Sequence, residues 1–339
     1  MTRTIFRDFD EFAEAINGIA GRFVPTARSE KDWWVQVVPA GRVAIQQVQI
    51  GGASTFVGDG TPDAITIGIP VNSSRRVRID GQPIEENCFI LGKQGQPFTF
   101  AAGQATCWAG IHIPADHASL TPGLLESLKG KDGTYTRTQL PYIAKAKLLV
   151  TRLFADDDSI VLVDPAAVRA AEEEIASAIS HVLEASDRFD QRRTGRPRFP
   201  RGRIVARALQ VIEENEGQPL FLADLCRAAQ VSERTLRNVF REYFGVGPMR
   251  LLKVNQLSEI RSELIAADPH TQTISSIVGR FGIWDFSSFA RNYKALYNET
   301  ASETMRRSAN SPHCHRGTDA RWIRYASQKF VDVARMRHL

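Results

Sequence analysis

The sequence predicts an α+β protein with an N-terminal antiparallel β-barrel or sandwich, a helical linker, and a C-terminal all-α domain with two helix-turn-helix units. Three observations predict this class. Short apolar runs separated by Gly, Pro, Asp and Asn occupy about residues 33–114, helical apolar spacing follows at 141–190, and one helix-turn-helix pattern occurs twice after residue 203. The 339 residues are enough for two domains and a connector.

Charge is distributed unevenly along the chain. Residues 1–191 hold 18 Lys and Arg against 24 Asp and Glu, residues 192–307 hold 19 against 12, and residues 308–339 hold 6 against 2. We therefore expect the C-terminal part to meet a polyanion, although the sign of the charge leaves both nucleic acid and a membrane surface open.

Composition argues against several other classes of protein. No apolar run reaches membrane-spanning length, and acidic residues stand where a signal peptide would have its apolar core, so we expect a soluble, cytoplasmic protein. Cys88, Cys107, Cys226 and Cys314 show no CxxC spacing, which favours free thiols. No GxSxG, P-loop or GxGxxG stretch indicates enzyme chemistry, and we expect no cofactor.

Seven β-type runs make up most of the predicted N-terminal domain, residues 1–140. They are WWVQVV, RVAIQQVQI, AITIGIPV, RRVRI, CFILG, PFTFA and CWAGIHI. Turn signals such as PAG, GDGTPD, DGQPIEEN and KQGQ separate them.

A helical connector is predicted at 141–190. Asp164 can cap a helix that begins at Pro165, and apolar residues recur at spacings of three and four as far as Val182. This narrow apolar seam suits either packing on the barrel or pairing with another subunit. The basic stretch 191–203, broken by Pro and Gly, is interpreted as an interdomain linker, with a phosphate-binding arm as the alternative.

The first helix-turn-helix unit begins with LADLCRAA, followed by a break at Gln230 and Val231 and an N-cap at Ser232 for a helix to about Phe244. The predicted inward side chains are Leu236, Val239, Phe240 and Tyr243. The predicted outward side chains are Arg234, Arg237, Asn238 and Arg241. Arg can donate two hydrogen bonds to guanine and Asn can pair twice with adenine, so this face suits base reading; a solvated surface is the alternative.

The pattern recurs about 50 residues later. ISSIVGRF predicts a second short helix, Gly282 and Ile283 a turn, and Asp285 a cap for a helix through about Leu296. Its predicted inward side chains are Phe289, Tyr293 and Leu296, and the outward positions hold Ser287, Ala290, Arg291 and Lys294. A long helix from Pro248 lies between the units and would hold the recognition helices about 34 Å apart, one turn of DNA.

Residues from about 203 to 307 resemble the DNA-binding domain of the AraC/XylS family of bacterial transcription regulators. The matching stretches are LADLCRAAQVSERTLRNVFREYFGVGPMRLLK and FGIWDFSSFARNYKALYNETASETMR. The resemblance implies base reading from the outer faces of both recognition helices, and DNA contacts by Arg234, Arg237, Asn238, Arg241, Ser287, Arg291 and Lys294. For Phe286, alignment indicates an outward position and hydrophobicity an inward one.

The chain departs from the family pattern in its second half. The usual Gly and Pro near Asn298 and Ala301 are missing, and Gln256 stands in the connector helix where a basic residue is expected. We therefore expect the second unit to bind DNA more weakly, or with less base specificity, than the first.

Members of this family often carry a cupin-like barrel for effector sensing or dimerisation, and DGQPIEENCFILGKQGQPFTF resembles a cupin strand–turn–strand. Such a barrel can enclose one small ligand. Residue type and strand placement make Trp33, Trp34, Arg42 and Trp108 candidate ligand contacts, with ordinary core or surface positions as the alternative for each.

Histidines decide between a sensor and a metal-dependent barrel. A metal-dependent cupin needs converging His and carboxylate ligands, but only His112 and His117 precede residue 181, without a His-x-His pair. The adjacent residues 313–315 (HCH) have no obvious fourth ligand. We therefore expect no metal site.

These observations predict a sequence-specific transcriptional regulator with operator DNA, a small-molecule effector and, for an activator, RNA polymerase as partners. Activation is implied by the resemblance alone. A homodimer is expected, through the barrel or the helix at 165–189. A metal-dependent enzyme fused to a DNA-binding domain and an architectural binder without sequence preference are the alternatives. The basic tail, 308–339, is expected to form an extra helix or a disordered end.

Overall fold

The computed structural model describes residues 3–60, 64–72, 76–92, 97–117, 135–137, 140–154, 164–186, 201–215, 220–309 and 326. The described strands are β1 (Thr4–Phe6), β2 (Ile19–Pro25), β3 (Trp33–Ala40), β4 (Val43–Ile50), β5 (Ser54–Gly60), β6 (Ala64–Pro70), β7 (Val77–Ile79), β8 (Gln82–Pro83), β9 (Cys88–Gly92), β10 (Phe98–Ala102), β11 (Thr106–Pro114) and β12 (Tyr135–Arg137). The described helices are α1 (Phe9–Glu14), α2 (Leu140–Leu153), α3 (Pro165–Glu184), α4 (Arg201–Glu214), α5 (Leu222–Ala229), α6 (Glu233–Phe244), α7 (Pro248–Ala266), α8 (Ile274–Arg280), α9 (Phe286–Tyr297) and α10 (Ala301–Ala309).

The N-terminal region is a sandwich of two antiparallel sheets rather than a closed barrel. One sheet has the strand order β1-β3-β4-β11-β6-β9-β12 and the other β2-β5-β10-β7-β8. Aromatic side chains from both sheets and from α1 meet in one core; among them are Phe12, Phe23, Trp33, Phe56, Phe100 and Trp108. The predicted α+β class is confirmed, and each of the seven β-type runs contains a strand.

Alternation along β11 separates two cores. Trp108 belongs to the core between the sheets, whereas Ala109, Ile111 and Ile113 pack on the opposite face. That outer face is covered by α2 and α3, which supply Val150, Ile175 and other buried side chains.

The predicted helix that begins at Pro165 is present as α3, and the Asp164 carboxylate accepts a hydrogen bond from the Ala166 N–H at 3.1 Å. Its apolar seam packs on the seven-stranded sheet, which is the first of the two uses that the sequence left open.

The stretch GDG at 58–60, predicted as part of a turn, lies instead at the end of β5. Gly58 pairs with Gly21 of β2, and a Cβ at Gly58 would lie 2.3 Å from the Ala20 carbonyl oxygen. Glycine is needed here for close approach of two strands rather than for a turn.

The helical region shares one core that extends to the five-stranded sheet. Val24 of β2 and Val57 of β5 belong to the same apolar cluster as Leu209, Phe240 and Leu257. The two halves of the protein therefore pack directly on each other.

Some predictions are only partly within the described residues. Helix α4 begins at Arg201, so the last three residues of the predicted linker are helical, and residues 191–200 lie outside the described part. Cys88, Cys107 and Cys226 form no disulfide bond with one another, and Cys314 lies outside the described residues. Of the predicted tail helix only Ala326 is described, and it is buried against the helical core. None of the described helices has both the length and the apolar character needed to cross a membrane.

Candidate nucleic-acid interface

The first helix-turn-helix unit consists of α5, a left-handed residue and α6. Gln230 ends α5 with φ 55°, and the Ser232 hydroxyl accepts a hydrogen bond from the Thr235 N–H at 3.3 Å at the start of α6. The buried side chains of α6 are Leu236, Val239, Phe240 and Phe244. Tyr243, predicted to face inward, is only half-buried.

The outer face of α6 is basic and open to solvent. Arg234, Arg237, Asn238 and Arg241 are all exposed. Arg237 lies 3.3 Å from the Glu233 carboxylate, in an ion pair between two exposed side chains. Such pairs are weak, so a stronger partner can displace Glu233.

The second unit repeats this construction with α8, a turn and α9. The left-handed residue is Gly282, with φ 72°, and the Asp285 carboxylate accepts a hydrogen bond from the Ser288 N–H at 2.9 Å. The buried side chains of α9 are Phe289, Tyr293 and Leu296. Ser287, Ala290, Arg291 and Lys294 are exposed.

Both recognition helices end in a left-handed residue. Gly245 ends α6 with φ 72°, and Asn298, at the equivalent position, ends α9 with φ 58°. Asn adopts this conformation more readily than most residues with a Cβ. In place of the missing proline, the Thr300 hydroxyl and the Glu303 carboxylate each accept a backbone N–H of the other residue, at 3.2 and 2.7 Å. The departures from the family pattern therefore leave the local fold intact.

Helix α7 joins the two units as part of their shared core. Its buried side chains, Leu251, Val254, Leu257, Ile260 and Leu264, contribute to one cluster with α5, α6, α8 and α9. The Gln256 amide donates a 2.9 Å hydrogen bond to the Phe281 carbonyl at the end of α8. The residue that departs from the expected basic pattern thus fixes the turn of the second unit.

A buried cation holds α7 against the end of α9. The Arg261 guanidinium pairs with the Glu299 carboxylate, which also pairs with Arg307. Burial opposes ionisation of Glu299, but the hydrogen bonds from Arg307 and Arg261 and the Arg261 charge outweigh it and lower the Glu299 pKa to about 2. This network therefore holds the end of the second recognition helix against α7.

A cavity of about 80 Å³ lies between the two sheets of the sandwich. Its walls are largely apolar, and the polar residues among them are Asn17, Gln46 and Thr66. Gln46 exchanges two 3.0 Å hydrogen bonds with the backbone of Asn17, and the Thr66 hydroxyl donates to the Gly18 carbonyl at 3.1 Å. The wall residues have no charged side chain.

The four residues predicted to contact a ligand occupy different environments. Trp108 lines the cavity, and its buried indole N–H has no acceptor among the described residues. Trp33 lies in the aromatic core and donates a 2.7 Å hydrogen bond to the Ser29 hydroxyl. Trp34 lies under the Arg3 guanidinium at 4.5 Å, and Arg42 forms a 2.5 Å surface ion pair with Asp116. Sequence reasoning did not identify Gln46 and Thr66, whose alternation along β4 and β6 directs them inward.

The two N-terminal histidines have separate partners. His112 Nδ1 lies 2.9 Å from the Thr66 hydroxyl, and burial lowers the His112 pKa to about 4. His117 Nε2 lies 3.0 Å from a carboxylate oxygen of Glu172 on α3. Across the described ranges, no three His, Cys, Asp or Glu side chains are grouped as metal ligands would be.

Two helix-turn-helix units on one core define a DNA-binding domain. Residues 225–307 match the family model described as a helix-turn-helix domain. Together with the motifs above, this match identifies the C-terminal region as a helix-turn-helix domain of the AraC/XylS type.

Two curated relatives are regulators by name. The chain is 31% identical over 128 residues to the "Probable thc operon regulatory protein" of Rhodococcus erythropolis, over 38% of this chain and 39% of the relative. It is 29% identical over 132 residues to the "XylDLEGF operon transcriptional activator" of Pseudomonas putida, over 39% of each. The matches thus span about 39% of the length of these relatives.

Two solved structures align with most of the chain at low sequence identity. The AraC-like transcriptional activator CuxR is 15% identical with a TM-score of 0.40, over 77% of this chain and 95% of that chain. ToxT from Vibrio cholerae is 12% identical with a TM-score of 0.29, over 85% and 98%.

Proposed function

We propose that this protein is a sequence-specific transcriptional regulator that binds double-stranded DNA with both recognition helices in neighbouring major grooves. The observation that carries the proposal is the structural repeat: α6 and α9 each bury one apolar stripe in a common core and expose an opposite face that bears Arg or Lys. A single basic helix face would fit a solvated surface equally well. Two such faces joined by α7 fit a domain that reads two neighbouring major grooves, here called a double reading head, with one recognition helix as each head.

The proposed contacts follow from position along each recognition helix. Residues near the N-terminus of such a helix reach base edges, so Arg234, Arg237 and Asn238 would read the first groove. Ser287 and Arg291 would read the second. Arg241 and Lys294 lie three residues beyond Asn238 and Arg291, nearly one turn further along their helices, where phosphate contacts would add affinity without base preference.

We propose activation as the regulatory outcome, with RNA polymerase as the protein partner. This rests on the name of the Pseudomonas putida relative, a transcriptional activator. A regulator of this kind acts on chromosomal DNA in the cytoplasm and needs neither catalysis nor a cofactor. The separate partners of His112 and His117 give no support to the metal-dependent enzyme.

We propose the cavity between the sheets as the effector site. Its apolar walls and the lack of a charged wall residue favour a small, uncharged and largely apolar molecule. The Trp108 indole N–H is the buried wall donor left without an acceptor in the described part, and it would orient one acceptor atom of the effector. Trp33, Trp34 and Arg42 lie outside the walls and are not included in the proposed site.

The proposed division of labour follows the predicted boundaries. Residues 1–140 would bind the effector, and residues 204–307 would bind DNA. Between them, residues 141–190 would form a helical connector and residues 191–203 an interdomain linker. Residues 308–339 would form an appended tail. We also propose a homodimer. Leu140 and Leu148 of α2 are exposed apolar side chains on one side of that helix and offer a surface for a second copy.

Binding assays at several salt concentrations test the proposed function. A specific regulator should bind its selected duplex about 10³-fold or more tightly than random duplex at physiological salt. The architectural alternative predicts steep salt dependence and little difference between the two duplexes. Equal affinities at every salt concentration would exclude the proposed function.

A further inference from the structure

Two exposed aromatic side chains lie at the N-terminal end of the second recognition helix, α9. Trp284 is 79% exposed and Phe286 is 41% exposed, so neither belongs to the core. This places Phe286 outward, the position that alignment indicated and hydrophobicity opposed. Two large exposed aromatic side chains only two residues apart in sequence indicate a contact surface.

The backbone that carries these side chains is well fixed. The Asp285 carboxylate caps α9 through the Ser288 N–H, and the Phe286 N–H donates a 3.2 Å hydrogen bond to the Trp284 carbonyl. Phe286 is the first residue of α9 and adjoins Ser287, the first predicted base-reading position of the unit. The aromatic surface is therefore continuous with the proposed DNA-binding face.

Comparison of the two units shows where their chemistry differs. The position of Phe286 is held by Glu233 in the first unit, and the position of Ala290 is held by Arg237. Two of the charged groups on the first reading face are thus replaced by apolar groups on the second, while α9 keeps Arg291 and Lys294 for hydrogen bonding and charge.

The major groove offers one apolar group, the 5-methyl group of thymine. Phe and Ala side chains both make favourable contacts with it, and the first residues of a recognition helix are the ones that reach base edges. Phe286 and Ala290 are four residues, just over one helical turn, apart on α9. Their aromatic and methyl side chains match two thymine methyl groups better than they match a hydrogen-bonding edge.

We propose that the second unit reads thymine methyl groups through Phe286, with Trp284 and Ala290 beside it, whereas the first unit reads purine hydrogen-bonding edges. The inference rests on the proposed function and specifies what its second reading head recognises. The second head is a base reader of different chemistry rather than a weaker copy of the first.

The test replaces thymine by uracil, which removes only the methyl group. The duplex selected by the full-length protein from a randomised library is resynthesised with uracil in one recognition block at a time, and affinities are measured by fluorescence anisotropy. Uracil in the block bound by α9 should weaken wild-type binding about three- to fivefold per methyl group contacted. Phe286→Ala should lower affinity for the thymine duplex and abolish most of this difference.

Matched variants separate the possible outcomes. Arg237→Ala should keep the full uracil effect, because it alters only the first head. Equal binding of thymine and uracil duplexes by the wild type would overturn the inference while leaving sequence-specific binding intact. Unchanged DNA affinity of Phe286→Ala together with loss of transcriptional activation would assign the aromatic surface to a protein partner and also overturn it. Failure to select any specific duplex would instead exclude the proposed function.

Discussion

The Arg261 guanidinium on α7 donates a 2.9 Å hydrogen bond to the carbonyl of Arg7, between positions 254 residues apart in sequence. The same guanidinium lies 4.7 Å from the centre of the Tyr297 ring and 5.7 Å from that of Phe9. Because α1 leads directly to Ile16 and Asn17 in the cavity wall, Arg261 connects the helix that joins both recognition helices to a segment that lines the cavity.

Replacing the Arg261 side chain should destabilise the folded protein. Arg261→Ala leaves the Glu299 carboxylate with Arg307 and the Thr304 hydroxyl as partners and removes the contact with the Arg7 carbonyl. We expect a loss of about 3–5 kcal/mol in the free energy of unfolding, as for other buried pairs broken on one side, measured by urea denaturation of the full chain.

Arg280→Ala is the matched control for this prediction. Arg280 pairs with Glu263 at 2.8 Å, but both side chains are about half exposed, so its removal should cost no more than about 1 kcal/mol. Equal losses for the two variants would show that the Arg261 network does not stabilise the fold.

Arg237 carries the next prediction, which concerns base preference. Arg237→Ala should reduce the affinity for the selected duplex by about 1–3 kcal/mol and reduce binding to random duplex much less, because a base contact is lost and most phosphate contacts remain. Competition between the two duplexes measures the difference. Arg169→Ala, which removes an exposed charge on α3, should leave both affinities unchanged. Equal losses on both duplexes for Arg237→Ala would assign Arg237 to a phosphate.

Acid should destabilise the sandwich through His112. Burial lowers the His112 pKa to about 4, whereas the unfolded chain takes up this proton near the ordinary histidine pKa of 6.5. The unfolded state therefore binds more protons between these pH values, and stability decreases as pH falls from 6.5 to 4. A difference of this size corresponds to on the order of 3 kcal/mol.

The pH dependence of melting isolates this contribution. His112→Gln should flatten the curve between pH 6.5 and pH 4 relative to the wild type. His270→Gln, at an exposed turn, should keep the wild-type slope. If the His112 variant and the wild type show identical slopes of stability against pH, His112 takes up its proton at the same pH in the folded protein as in the unfolded chain, which contradicts the prediction.

The cavity predicts binding of a small apolar probe. Benzene should raise the stability of the wild type, by about 1.4 kcal/mol at ten times its dissociation constant. Val48→Phe places a larger side chain in the cavity wall and should abolish this effect, whereas Val37→Phe on the exposed face of β3 should retain it. Calorimetric melting measures both, and an unchanged benzene effect in Val48→Phe would locate the binding elsewhere.

Much of the helical region could be predicted from sequence because its signals are local. Ser232 and Asp285 cap their helices as their side-chain chemistry predicts, and the apolar spacing identified nearly all of the buried stripes. The exception in α6 is Tyr243, which is only half-buried, whereas Phe244 at the end of the helix is fully buried.

Features that depend on tertiary contacts were not predictable in the same way. The GDG stretch in β5 has the composition of a turn, but its Gly58 allows β2 to approach closely. Asn298 and Gln256 depart from the family pattern and nevertheless fill the roles of helix cap and turn support. The cavity depends on which strand faces oppose each other, so residue type alone could not separate Trp108 from Trp33.

Selection of bound duplexes from a randomised library, with purified full-length protein at physiological salt, tests the central claim most directly. The account predicts an enriched motif of two blocks about one helical turn, or 34 Å, apart, with thymine prominent in the block bound by α9. A single block would contradict the double reading head, and the absence of any enriched sequence would contradict the assignment as a sequence-specific regulator.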